Sequence, residues 1–288
     1  MDISSFLIQS LNAVQYGLLL FLLASGLTLI FGIMGIINLA HGSFYMVGAY
    51  LAFSLSELTG SFALAILIGI PLSLVLGLAL ERLFMRPLYA RDHLAQVLLT
   101  YGLILMFEEM RSVLWGDDVH SVAVPAPLDF SIALGATQSY PAYRLFISAV
   151  CLVLAGAMAW LIQRTRLGMM IRAGAANREM AQALGINIRL VNAGVFAVGV
   201  ALAAFAGMLA APVSSVFPGM GGQILIICFV VVVIGGIGSI RGAMLAAMLV
   251  AIADTFGKVL IPEAAGVAVY IVMALVLVWR PMGLFGRQ

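Results

Sequence analysis

Long stretches without a charged residue run through most of the chain and limit its fold more than any other feature. Apolar segments are predicted at residues 12–33, 36–56, 61–81, 94–115, 143–163, 190–211, 223–239, 242–258 and 264–279. A helix of about 17 to 25 residues crosses the roughly 30 Å hydrocarbon core of a bilayer. Charged residues make up only 9% of the sequence, whereas soluble domains contain about 25%. We therefore predict an all-α integral membrane protein, a polytopic helical bundle of eight or nine segments that forms a single transmembrane domain over residues 1–288.

The connections between these segments differ in charge. If the spans alternate in direction, one side of the membrane holds 11 of the 14 Lys and Arg residues but only 3 of the 12 Asp and Glu residues. Basic loops stay on the cytoplasmic side of a membrane protein. We therefore expect the amino terminus outside, the carboxyl terminus in the cytoplasm, and a cytoplasmic loop at residues 164–190. The stretch at 116–144 is expected to be an irregular external loop because it is acidic and holds three prolines.

The chain also contains a weak internal repeat. A shift of 200 residues lays GIMGIINLAHGSF (32–44) over VIGGIGSIRGAM (233–244), pairs Gly35 with Gly235 and Gly42 with Gly242, and places His41 on Arg241. We predict two parallel repeat halves, approximately 12–93 and 212–288, with an interrupted helix at each element, because glycine tolerates backbone conformations that other residues avoid. The alternative is simple helix packing, for which small residues are also enriched in membranes.

Polar and small residues mark both elements as candidate helix breaks or as parts of a translocation path. They are Asn38, His41, Gly42 and Ser43 in the first element, and Gly235, Gly236, Gly238 and Ser239 in the second. Asn38 and His41 could cap backbone groups that a break leaves without partners, since such groups cost several kcal/mol in lipid. They could instead line a polar path, because ionisable groups inside membranes usually face a cavity.

Five motifs spread along the chain resemble one family of transport proteins. They are GLTLIFGIMGIINLAHGSFYMVGAYLA, RPLYARDH, TRLGMMIRAGAANREMAQALGIN, VVVIGGIGSIRGAMLAA and the ending RPMGLFG. The sequence resembles the permease subunits of bacterial branched-chain amino acid ABC importers, a family that also serves urea, short amides and aromatic acids. The resemblance implies import of branched-chain or related small amino acids across the inner membrane. It also implies four protein partners, namely a second homologous permease in a heterodimer, two cytoplasmic ATPase subunits and a periplasmic solute-binding protein, together with the surrounding lipid.

The cytoplasmic loop is the predicted dock for an ATPase. Around Lys258, the only lysine, Ile252 replaces the first glycine of a phosphate-binding loop and Val259 replaces its hydroxyl residue. ATP and Mg²⁺ are therefore expected in partner subunits, with no cofactor bound by this chain. A helix is predicted over 172–184, ended by Gly185 in a left-handed cap. Glu179, Ala181 and Gly185 resemble the E-A-A-x-x-x-G pattern of ABC-permease coupling helices, with Met180 replacing the middle alanine. Together with Arg172 and Arg178 they are the candidate coupling residues; a solvated basic loop is the alternative.

Other functional classes are less favoured. An ion-coupled secondary transporter would need ionisable residues inside the bundle, and the sequence offers few. Asp254 and Lys258 have the spacing of a helical ion pair, as do Glu108 and Arg111. Cys151 and Cys228 lie alone in apolar runs, so no metal site is expected. No catalytic group is predicted, and neither an enzyme nor a nucleic-acid-binding protein is expected.

Overall fold

The computed structural model of the chain describes residues 3–89, 91–134 and 138–286. Arg287, which the charge count assigns to the cytoplasmic side, lies outside these ranges. Within them the chain forms α-helices with the following bounds: α1 Ile3–Met34, α2 His41–Thr59, α3 Phe62–Leu80, α4 His93–Trp115, α5 Ala142–Arg164, α6 Arg166–Ala176, α7 Arg178–Ala183, α8 Ile188–Ala210, α9 Met220–Gly235, α10 Ile240–Leu260 and α11 Ala265–Trp279. A π-helical turn at Glu81–Met85 and a 3-10 turn at Arg86–Leu88 extend α3.

The predicted all-α polytopic fold is confirmed. Each predicted apolar segment corresponds to one helix, in order α1 to α5 and α8 to α11. Five helical stretches are long and apolar enough to cross a membrane, and α9 and α11 are shorter apolar helices. The largest difference in bounds is at α1, which begins at Ile3 rather than at residue 12. The apolar pattern misses this outer part because it carries polar residues such as Gln9 and Asn12.

Small residues let the central helices approach one another closely. In α1, Gly26 lies against the backbone of Gly199 in α8. Gly48 in α2 packs on the backbone of Ala204 in α8, where an added Cβ would overlap the carbonyl group. Such close approach is the usual way in which helices associate in lipid, where burial of apolar surface offers no advantage. These contacts place α1, α2 and α8 at the centre of the bundle.

Two contacts fix the relative direction of α1 and α10. Gly17 of α1 faces Met248 and Ala251 of α10, whereas Gly32 faces Gly238, just before α10 begins. The two helices are therefore antiparallel, as alternating spans require.

The connection between α4 and α5 is more regular than predicted. It contains a 3-10 turn at Ala126–Leu128 and an antiparallel pair of short strands, β1 (Ser131–Ala133) and β2 (Ser139–Pro141). The backbones of His120 and Val216 exchange two hydrogen bonds of 2.8 Å and join this connection to the one between α8 and α9. The prediction of a wholly irregular loop is wrong because strand pairing, which satisfies backbone groups, depends on distant residues.

Candidate functional site

The first helix break lies inside the bundle. α1 ends at Met34 and α2 begins at His41, and Gly35 opens the break with a φ of 67°, a value that suits glycine. Asn38 is fully buried, and its Oδ1 accepts a hydrogen bond of 3.1 Å from the Ala40 N–H. This contact satisfies a buried backbone group at the break, which is the capping role expected of Asn38.

His41 makes a different contact from the capping expected of it. Its Nε2 lies 3.0 Å from the carbonyl oxygen of Leu23, and its side chain is fully buried. Because a carbonyl only accepts, Nε2 carries the proton and donates. Leu23 is in the continuous part of α1, so the bonded carbonyl does not belong to the break. His41 therefore joins the first turn of α2 to the middle of α1.

Gly42 and Ser43 complete the first element. Gly42 packs on the backbone of Gly221, so that the first turns of α2 and α9 meet without an intervening side chain. Ser43 is buried beside it. Neither residue, nor Asn38 or His41, lines either of the two cavities described below. A role for these residues in a translocation path stays a prediction.

The second break is tighter and lies at the end of the bundle. α9 ends at Gly235 and α10 begins at Ile240. Gly236 and Gly238 have φ values of 92° and 81°, and the hydroxyl of Ser239 accepts a hydrogen bond of 3.1 Å from the Gly242 N–H. Gly235 itself stays helical, so this break begins one position later than the alignment with Gly35 predicts.

The carboxyl-terminal tail packs against the second break. The N–H of Leu284 donates to the Ile234 carbonyl at 2.8 Å, and that of Phe285 donates to the Gly235 carbonyl at 3.1 Å. These are carbonyls from the last turn of α9, which a helix leaves without internal partners. The ending RPMGLFG therefore has a structural role as a cap on α9.

A cavity of about 930 Å³ opens beside the second break. We name it the inner cavity because the charge count predicts that this end of the bundle faces the cytoplasm. Gly238 and Ser239 line it, together with Arg172 from α6 and Arg241 from the first turn of α10. Its remaining wall is mostly apolar and comes from α1, α5 and α10. Of the predicted break residues, only Gly238 and Ser239 thus face a cavity.

A second cavity of about 620 Å³ lies near the opposite end of the bundle. We name it the outer cavity because this end is predicted to face away from the cytoplasm. Its residues are Gln9, Asn12, Gln15, Tyr16, Leu19, Tyr45, Arg144, Ala210, Val213, Ser214, Phe217, Met220, Gln223, Ile224, Ile227, Asp254, Thr255, Lys258 and Val259. Arg144 Nη1 donates to Asn12 Oδ1 at 2.7 Å, and Lys258 Nζ lies 2.6 Å from Asp254 Oδ2. The predicted pairing of Asp254 with Lys258 is present, and it forms part of this cavity.

Sequence analysis missed the outer cavity. One signal for it was available, since Gln9, Asn12 and Tyr16 follow one another at spacings of three and four and so share one face of α1. Nothing in the pattern indicates that Arg144 and Asp254, which are far apart in the chain, face the same space. Their proximity follows from the packing of α1, α5 and α10.

The loop at 164–190, which the charge count predicts to be cytoplasmic, folds into two short helices rather than the one predicted over 172–184. The Asn177 side chain accepts a hydrogen bond of 2.9 Å from the Met180 N–H and caps α7, so that α6 ends before it. Gly185 has a φ of 85°, and the Gly185 and Ile186 N–H groups donate to the carbonyls of Gln182 and Ala181. The left-handed end expected at Gly185 is present and has the hydrogen bonds of a Schellman motif.

The candidate coupling residues face in different directions. Glu179 and Gly185 are exposed, whereas Ala181 is only 2% exposed and packs inward. Ala181 therefore packs within this chain and is not part of the exposed surface of α7. Arg172 is exposed and donates a hydrogen bond to the Ile162 carbonyl, which ties α6 to α5.

Arg178 connects α7 to the end of α3. Its guanidinium lies 5.7 Å from the centre of the Tyr89 ring, within the range of a cation–π contact. The Tyr89 hydroxyl in turn donates to a carboxylate oxygen of Glu81. Burial, followed by this hydrogen bond to a carboxylate, raises the pKa of Tyr89. The tyrosine thus stays protonated and keeps donating.

Comparison with known proteins gives the family. A family model described as branched-chain amino acid transport system / permease component matches residues 10–278. The chain belongs to this permease family. It is 34% identical to the high-affinity branched-chain amino acid transport system permease protein BraD of Pseudomonas aeruginosa over 303 residues, covering 99% of this chain and 97% of that protein. It is 31% identical to the corresponding protein LivH of Escherichia coli strain K12, covering 98% of this chain and 96% of that protein.

Family membership confirms the predicted class of the protein. The relatives are permease components of transport systems, and the helices of this chain are long and apolar enough to cross a bilayer several times. The chain is a multi-pass transport permease of the inner membrane.

Proposed function

We propose that this permease imports branched-chain or related small amino acids as one membrane subunit of an ATP-driven importer. The observation that carries the proposal is the match along nearly the whole chain to permeases named for high-affinity branched-chain amino acid transport. The importer comprises this chain, a second homologous permease in a heterodimer, two cytoplasmic ATPase subunits that bind ATP and Mg²⁺, and a periplasmic solute-binding protein. The permease itself catalyses no reaction.

The charge distribution supports one orientation. The amino terminus and the outer cavity face the periplasm, and the loop at 164–190 faces the cytoplasm, since basic loops remain inside. Cysteines placed at Asp118 and Asn177, in a background lacking Cys151 and Cys228, test this orientation. An impermeant thiol reagent applied to intact spheroplasts is expected to label the first cysteine and not the second. Labelling of the second cysteine alone would show that the protein has the opposite orientation.

The exposed surface of α7 supports a coupling role for the cytoplasmic loop. Glu179, Met180 and Leu184 are exposed there. A carboxylate therefore lies beside two apolar side chains whose exposure to water is unfavourable. Movement of an ATPase against this surface would reach α3 through the contact of Arg178 with Tyr89. Rigid helices then carry the motion to the cavities and open them alternately.

Coupling is tested with Glu179→Lys and Gly185→Val. The first change reverses a charge on the proposed dock, and the second forces a β-branched residue into a left-handed backbone conformation. Both variants are expected to insert in the membrane but to lose stimulated ATPase activity and uptake in the assembled importer. Arg189→Gln, a change of charge in the same loop outside α7, is the control. Unchanged uptake by both variants would remove the coupling role.

The solute is tested by reconstituting the complete importer in proteoliposomes. ATP-dependent uptake of labelled leucine is expected, with urea, acetamide and benzoate failing to compete at the same concentration. Competition by one of these solutes, without uptake of leucine, would assign the permease to another branch of its family.

A further inference from the structure

The outer cavity has an uncompensated positive charge at its mouth. Within the residues that the structure describes, no carboxylate lies within 4.0 Å of the Arg144 guanidinium nitrogens. Arg144 instead donates to the neutral amide of Asn12 at 2.7 Å. A guanidinium is always charged and binds carboxylates through paired hydrogen bonds. The cavity therefore offers a site for a carboxylate.

The same cavity holds a carboxylate of its own. Asp254 is 9% exposed, and its Oδ2 is paired with Lys258 Nζ at 2.6 Å. The Lys258 side chain is itself 61% exposed and ends a flexible stem, so it can turn toward water. An ammonium group on a ligand has the same charge and the same donors as the lysine. It can replace Lys258 at Asp254 without leaving a buried carboxylate unpaired.

Below the charged mouth the cavity becomes apolar. Leu19, Ile224 and Ile227 line this part, and Met220 adds a flexible thioether side chain. An aliphatic side chain of a ligand would leave water here at a gain that grows with its buried area. Charged groups at one end and apolar groups at the other match a molecule with both features.

Size and position also suit a solute site. The volume of about 620 Å³ falls within the range of about 300–1,000 Å³ usual for small-molecule sites. Most of the lining residues come from α1 and α2 of the first predicted repeat half and from α9 and α10 of the second, and Arg144 is added by α5, which lies outside both halves. Transporters with internal repeats commonly bind their solutes between the two halves.

We propose that the outer cavity binds a zwitterionic α-amino acid with an aliphatic side chain. Arg144 binds its carboxylate, Asp254 binds its ammonium group in place of Lys258, and the side chain lies between α1 and α9. The inference rests on the proposed function, because it assigns residues to the solute which that function implies. It adds that the permease itself recognises both charged groups of the amino acid.

Binding to the full chain in lipid nanodiscs tests this assignment with three probes. L-Leucine carries both charges, 4-methylpentanoate lacks the ammonium group, and isoamylamine lacks the carboxylate. Displacement of labelled leucine is expected to need about tenfold more of either singly charged analogue, since each forfeits a charge-assisted hydrogen bond. Equal displacement by all three compounds would overturn the proposal.

Two variants separate the two charged contacts. Asp254→Asn is expected to weaken binding of leucine and isoamylamine about tenfold and to leave 4-methylpentanoate unchanged, whereas Arg144→Gln weakens leucine and 4-methylpentanoate and spares isoamylamine. Misfolding would weaken all three probes, so this crossed pattern identifies the contacts. Glu57→Gln, which neutralises an exposed carboxylate outside the cavity, is the control. Variants that leave binding of leucine unchanged would overturn the assignment.

A cysteine in the cavity extends the test to the assembled importer. Thr255→Cys is introduced in the background lacking Cys151 and Cys228, both of which are buried. Leucine is expected to slow alkylation of this cysteine at least threefold. If the importer takes up leucine but leucine does not slow alkylation, the assignment of the solute site to the outer cavity is wrong and the proposed function stands. If the two variants show the expected crossed pattern of binding but the importer does not take up leucine, the outer cavity is the binding site and the proposed function is wrong.

Discussion

The two helix breaks have similar sequences but different surroundings. In the first, which runs from Gly35 to Ala40, Asn38 and His41 are fully buried, although the neighbouring Ile37 is 39% exposed. The second lies beside the inner cavity, where Ile237 is 52% exposed and Arg241 reaches water. A glycine follows each break, and both Gly42 and Gly242 touch the backbone of another glycine. The shared glycines preserve close packing. The two breaks differ in how deeply their polar side chains are buried.

The largest expected effect is common to both breaks. Gly42→Leu and Gly242→Leu would each place a side chain where a backbone carbonyl already lies, at Gly221 and Gly235 respectively. Because backbone cannot shift as a flexible side chain does, each change is expected to abolish the monodisperse protein. The measurement is size-exclusion chromatography of a fluorescent fusion.

Gly102→Leu in α4 is the matched control for these variants. No atom of the described structure lies within 4 Å of the position of its added Cβ. It is expected to elute like the unmodified protein. If Gly242→Leu also elutes normally, the two breaks do not share a packing requirement and their similarity is confined to the sequence.

The next effect distinguishes the residues that the repeat aligns, His41 and Arg241. His41→Leu removes the hydrogen bond to Leu23 and is expected to destabilise the protein by about 1 kcal/mol, whereas Arg241→Leu changes an exposed position and leaves stability nearly unchanged. Apparent melting temperatures in detergent measure both.

A second variant sharpens the role of His41. His41→Gln retains a nitrogen donor at the end of a side chain and is expected to recover part of the lost stability. Asn is shorter, so His41→Asn is expected to recover less. Equal melting temperatures for the Leu and Gln variants would show that the ring acts through packing alone, including its edge contact with Phe44.

The smallest effect concerns the two capping side chains. Asn38→Ala and Ser239→Ala each remove an acceptor from a backbone N–H, and the expected loss lies at the low end of the range for helix caps, about 0.5 kcal/mol. The change at Asn38 is expected to be the larger, because water cannot readily replace the lost acceptor inside the bundle. Urea or thermal unfolding compares the two. A larger loss for Ser239→Ala would contradict the assignment of depth.

The spans could be predicted from the sequence because apolar length is a local property. The break positions were also predictable, since Gly35, Gly236 and Gly238 mark them directly. Their depth was not, because it depends on where α1 and α9 contact the rest of the bundle. The sequence at 32–44 and 233–244 does not predict that packing.

The site was less accessible to prediction than the fold. Asn177 is a common helix-capping residue, so the division between α6 and α7 could have been foreseen. The bond from His41 to Leu23 could not, because it joins residues that meet only through the turn of the chain at the first break. Arg144 and Asp254 present the same difficulty, since one begins α5 and the other lies in α10.

The contact of the tail with α9 bears on how the protein can be tagged. Leu284 and Phe285 donate to the last carbonyls of α9, and Gly286 lies against Gly236. A reporter joined directly after these residues would strain those hydrogen bonds and disturb the wall of the inner cavity. A long flexible linker would avoid this strain. A chain shortened to end at Met282 would leave the carbonyls of α9 to water, so fluorescence-based screening of this permease depends on keeping its final turn intact.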